Sequence, residues 1–128
     1  KFSERRMFVD ISTLNSHYER LQQLSKNEGT LDGLKSGAAN CTGLFATEIA
    51  ELEAQIEQEK AVIAESEEII AAWISGIEDG TTRTILRLRF IHGLQWCEIA
   101  GAVGKRFTEA RVKYIARCHL KAAFNHPQ

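Results

Sequence analysis

The stretch FATEIAELEAQIEQEKAVIAESEEIIAAWISGI, residues 45–77, decides the fold class of this chain. Stepping four and then three residues along it meets Phe45, Ile49, Leu52, Ile56, Glu59, Ile63, Ser66, Ile70, Trp73 and Ile77, and eight of those ten are apolar. That spacing gathers them on one stripe of an α-helix, and its persistence over more than four heptads is the signature of a coiled-coil seam. The only proline is Pro127, so none interrupts the pattern. A helix is expected over residues 44–78, about 50 Å long at 1.5 Å per residue. A stripe of that length needs a partner helix to cover it. Glu59 and Ser66 break the apolar seam, and polar groups there fix register or strand number at some cost in stability. Glu48, Glu51, Glu53, Glu57, Glu65, Glu67 and Glu68 lie off the stripe and read as a solvated acidic face.

Upstream, Met7, Ile11, Leu14, Tyr18 and Leu21 repeat the same spacing, so a first helix is expected over residues 3–26. Gly29 is suited to a left-handed cap that ends it. Gly29, Gly33, Gly37 and Gly43 then make residues 29–43 read as a flexible connector. The first helix can fold back across this connector as an antiparallel hairpin, and a second copy of the chain can supply a further helix. Residues 1–79 are thus expected to form a coiled-coil module for assembly or interaction. Its subunit contacts would be Phe45, Ile49, Leu52, Ile56, Ile63, Ile70, Trp73 and Ile77.

Downstream, the charge changes sign. The net charge of −1 over 128 residues hides a division: residues 1–80 carry 7 Lys/Arg against 15 Asp/Glu, and residues 81–128 carry 9 against 2. A basic segment of that kind is the electrostatic footprint of a nucleic-acid binder. Asp79-Gly80-Thr81-Thr82 reads as a helix stop followed by a capping start, so a second module is placed at 80–128, with Thr81 or Thr82 as the cap. A helix to about His92, a short helix from Gln95 to near Gly104, a turn through Lys105, Arg106 and Phe107, and a last helix over residues 108–123 with Thr108 as N-cap complete it. At 100° per residue, Val112, Ile115, Ala116, His119 and Ala123 share one side of the last helix. Ala110, Lys113, Tyr114, Arg117 and Lys121 face the other way, with Arg111 on the flank. An apolar back and a cationic front are what a helix needs to enter the major groove.

Residues 85–100, ILRLRFIHGLQWCEIA, resemble the LRxRYIxGxxWxEIA run of sigma-factor region 4-like helix-turn-helix proteins. The resemblance is nearest to the small phage and prophage regulators of the RinA/ArpU type, and it extends over about residues 82–121. It implies that Trp96, Ile99 and Ala100 pack the first helix of the motif, that Gly93 makes the turn before it, and that Val112 is the buried valine of the recognition helix. It further implies basic contact positions at Arg111, Lys113 and Arg117. The turn at residues 104–108 is longer than the Gly-Tyr-Ser turn of many members.

The expectation is therefore an all-α protein, a long N-terminal helical hairpin or coiled coil followed by a small C-terminal helix-turn-helix. It would bind double-stranded DNA sequence-specifically as a homodimer or higher oligomer and regulate transcription in a bacterial host cytoplasm, with RNA polymerase as a further candidate partner. Arg83, Arg87, Lys105 and Arg106 would hold phosphates, while Lys113, Tyr114 and Arg117 would reach base edges; Thr108, Ala110, Arg111 and Lys121 complete the interface. Two alternatives use the same chain differently. One is DNA-packaging recognition of the small-terminase kind. The other is a phage interaction or inhibitor protein acting through the acidic hairpin. No catalytic constellation, phosphate loop or cofactor motif is visible, and Cys41, Cys97 and Cys118 lack the spacing of a metal site, so no enzyme, cofactor or metal is expected. No run of about 18 apolar residues suggests a membrane span.

Overall fold

The computed structural model describes residues 9–38, 43 and 45–124. It is all-helical among them: α1 (Ile11–Ala38), α2 (Ala46–Ser75), α3 (Gly80–Phe90), α4 (Trp96–Val103) and α5 (Glu109–Phe124). No described helix is long and apolar enough to cross a membrane.

The first helix differs from the sequence expectation at both ends. Val9 and Asp10 are not helical, and the Asp10 carboxylate accepts the Thr13 N–H at 2.8 Å, so the helix starts at Ile11. Residues 3–8, with Met7, lie outside the described residues. At the other end α1 does not stop at Gly29 but runs on through Gly33 and Gly37 to Ala38. Most of the expected connector is therefore helix. Each internal glycine costs about 1 kcal/mol relative to alanine, but α2 offers this segment a full-length partner. Leu31 and Leu34 are half-buried, Asn27 donates to both carboxylate oxygens of Glu59 at 2.9 and 3.0 Å, and Lys35 pairs with Glu53 at 3.0 Å. Tertiary packing outweighs local propensity here.

At 28 and 30 residues, α1 and α2 are matched in length, about 42 and 45 Å. They pack as a hairpin, and the coiled-coil stripe closes inside one chain. Ile56, Ile63, Ser66, Ile70 and Ile77 are buried, and Phe45, Ile49, Leu52, Glu59 and Trp73 are half-buried. Of the eight residues assigned to subunit contact, Ile56, Ile63, Ile70 and Ile77 are thus buried within the chain, and Phe45, Ile49, Leu52 and Trp73 are half-buried. A first helix ending at residue 26 would have left the distal half of α2 bare; the extended α1 covers it. Both polar breaks in the seam meet polar groups of α1. Glu59 accepts from Asn27, and Ser66 Oγ lies 2.7 Å from His17 Nδ1. A slip by one turn would part both pairs, which fixes the register. The chain enters α2 through Phe45, at φ 64°, whose ring lies where a Cβ on Gly37 would approach to 3.2 Å.

The three short helices sit on the end of the hairpin where α1 begins and α2 ends. α3 is capped not by either threonine but by Asp79, which accepts from the Thr82 N–H at 2.9 Å and the Thr82 hydroxyl at 2.7 Å. These bonds hold the Asp79 carboxyl below the usual carboxylate range. One hydrophobic cluster crosses position 80: Leu14, Ile70, Ile74 and Ile77 of the hairpin join Ile85, Leu86, Phe90, Ile99, Ala100, Val112 and Ala116. Ile70, Ile74, Ile85, Leu86 and Ile99 are fully buried, each contributing about 1.5–3 kcal/mol of transfer free energy. Ile74, off the heptad stripe, is buried because α2 serves two neighbours at this end.

Candidate nucleic-acid interface

The platform for α5 is built from contacts between its own neighbours. Gly93, at φ 70°, turns the chain between α3 and α4, and its carbonyl accepts from Gln22 of α1 at 2.7 Å. α4 begins with the Gln95 N–H on the Glu98 carboxylate at 2.7 Å and buries Ile99 and Ala100. It ends at Gly104, whose φ of 124° suits a residue without Cβ. Thr108 then accepts the Arg111 N–H at 3.1 Å, as expected of the N-cap.

α5 buries Val112 and Ala116, with Ile115 and His119 half-buried. His119 lies 6.0 Å from the Trp73 ring, and Phe124 stacks on the same indole at 5.2 Å. Ala123, assigned to the back, is exposed. The buried direction is turned toward Leu120 and Lys113, both half-covered. The expected front therefore divides. Ala110 and Tyr114 point outward, with Tyr114 66% exposed. Its hydroxyl is pushed above the usual range by a hydrogen bond to Cys118, one turn on. Lys113, Arg117 and Lys121 line one edge, where they face the start of α1. Lys113 also pairs with Glu109 at 3.6 Å. Arg111 is exposed on the opposite flank, its guanidinium 5.3 Å from the Phe107 ring centroid, and Lys105 and Arg106 are exposed in the turn.

Two of the expected phosphate contacts are engaged elsewhere. Arg83 donates to the Ile77 carbonyl at 2.6 Å, and Arg87 donates to Ser75 Oγ at 3.1 Å. Both tie α3 to the end of α2 and do not join the α5 face. Arg89 has a larger part than its sequence position suggested. Its guanidinium lies 3.6 Å from the Tyr18 ring centroid and 4.3 Å from that of Trp96, and it donates to the Leu94 carbonyl at 3.2 Å. This sandwich links α1, α3 and α4, and burial draws the Arg89 pKa downward. The signal was its spacing: Arg89 stands four residues after Ile85 and three after Leu86, on the buried side of α3.

Among the described residues no group of three or more His, Cys, Asp and Glu could hold a metal ion. Compared with protein-family models, curated proteins and solved structures, the chain matches none.

Proposed function

We propose that this chain binds double-stranded DNA through α5 and acts as a sequence-specific regulator of transcription. The observation that carries the reading is the asymmetry of α5. Val112 and Ala116 are almost completely buried, at 0% and 1% exposure, while Tyr114 stands out in solvent among Ala110, Arg111, Arg117 and Lys121. The major groove admits one α-helix, and such a helix must be held from behind and present polar, cationic groups in front. The order of short helix, glycine-bounded turn and basic helix at residues 96–124 agrees with that plan. The resemblance over about residues 82–121 supports a phage or prophage regulator working in a bacterial cytoplasm. With the middle of the heptad seam buried inside the hairpin, pairing into a dimer would use its half-covered positions or another surface. Two half-sites one helical turn apart would then be read by two copies of α5.

The test is selection of a duplex from a random library, followed by anisotropy titration at two salt concentrations with the mass measured in solution. The reading expects a recovered consensus and an affinity that falls steeply with salt as phosphate contacts are screened. No binding to any duplex at low salt would overturn it.

A further inference from the structure

A cleft of about 440 Å³ separates the first turns of α1 from one edge of α5. Ile11 and Asn15 form one wall, and Lys113, Arg117 and Lys121 form the other. Ala116, Leu120, Trp96 and Arg89 complete the lining, so four of its nine residues are cationic and none is acidic. The three cations of the wall recur every fourth residue, a spacing that sets successive side chains about 5–6 Å apart along the helix. Lys113 has Glu109 for a partner, but among the described residues neither Arg117 nor Lys121 makes an ion pair. Such a row, facing a neutral amide across an open slot, is complementary to a polyanion running along α5.

We propose that this cleft holds the phosphodiester backbone of one DNA strand, gripped between α1 and α5. The inference rests on the DNA-binding reading and divides its labour. Lys113, Arg117 and Lys121 meet phosphates and position the helix, and Asn15 of the hairpin donates to the same strand from the opposite wall. Base reading falls to the outward Ala110 and Tyr114, with Arg111 on the flank beside them. The hairpin is then part of the DNA-binding surface and not only a support for it. The clasp of Arg89 between Tyr18 and Trp96, with Gln22 on the Gly93 carbonyl, fixes α1 against α4, the helix that packs on α5.

The test uses the full chain and two duplexes, a selected site and a scrambled one. Asn15→Asp puts a carboxylate in the cleft, and Ser25→Asp, at an exposed position of the same helix, makes the same charge change outside it. The proposal expects Asn15→Asp to weaken both duplexes about tenfold beyond Ser25→Asp, with unchanged melting temperatures. Arg117→Ala should weaken both duplexes by equal factors and reduce the salt slope by about 1, as for a phosphate contact. Equal effects of the two aspartates would overturn the proposal, as would a loss from Arg117→Ala confined to the selected site. If the wild-type chain binds neither duplex, the DNA-binding reading itself fails, which is a different result from binding that ignores Asn15.

Discussion

The glycines of α1 provide a sharp test of the hairpin. Gly29 and Gly33 lie inside the helix at exposed positions, and a Cβ added to either meets nothing within 4 Å. Neither has a backbone conformation that an L-residue avoids. Replacing each with alanine removes the entropic handicap of glycine in a helix interior, about 0.8–1.0 kcal/mol per site. A Cβ at either site gains and loses no neighbour, so the two propensity gains sum to about 1.5–2 kcal/mol in the double variant. For a chain of this size that corresponds to a rise in melting temperature of roughly 5–10 °C. Gly37→Ala is the counter-case on the same face, because its Cβ would come within 3.2 Å of the Phe45 ring; it should give no gain or a loss. Urea unfolding followed by circular dichroism supplies the free energies, and hydrogen exchange at residues 28–36 shows whether the tip of the hairpin shares in the global transition. If Gly29→Ala and Gly33→Ala leave stability unchanged and amides 28–36 exchange at once, that segment is the loop its composition suggests, and the closed seam is wrong.

Other expectations follow from single contacts. His17 is fully buried with Nδ1 on Ser66 Oγ. Burial holds its pKa below the ordinary 6.5, with Arg20 acting in the same direction and Glu67 and the Phe90 backbone against it. A depressed folded-state pKa gives stability that is whole above about pH 6.5 and is lost as the pH falls toward the lowered value; melting temperatures should drop between pH 7 and pH 5, and His17→Gln should flatten that slope. Ile70→Ala, at a fully buried position where the hairpin meets the short helices, should cost about 2–5 kcal/mol by urea unfolding. Arg83→Ala removes the donor to the Ile77 carbonyl and should lower stability by about 1 kcal/mol or more, with little change in duplex affinity by anisotropy. Tyr114→Ala, at a largely exposed site, should leave the melting temperature within about 2 °C while weakening the selected duplex more than a scrambled one.

The helical class, the stripe of α2 and the element order from Asp79 to Phe124 were legible because each rests on local signals: spacing, caps and glycine stops. The polar seam positions Glu59 and Ser66 also marked themselves, although their partners Asn27 and His17 did not. What escaped was set by contacts distant in sequence. Nothing local says that Gly29 and Gly33 will be carried through in helix, because the partner that holds them there is α2. The same error shortened α1, so that its fold-back accounted for only part of the seam. On α5 the pattern separated back from front, but the direction of the core was set by Trp73 and the start of α1. Those neighbours exposed Ala123 and placed Lys113 and Arg117 at an edge. Arg83 and Arg87 looked like phosphate contacts, and Arg89 had no role assigned to it. Only the fold shows that the first two grip the end of α2 and that the third is clasped between two aromatic rings.

The most direct test of the DNA-binding account is a titration of the ¹⁵N-labelled chain with its selected duplex, following backbone amide shifts. The account expects the large changes at residues 105–121 and around Asn15, with the α2 acidic face from Glu48 to Glu68 unmoved. Changes centred on that acidic face, or none at saturating duplex, would contradict it.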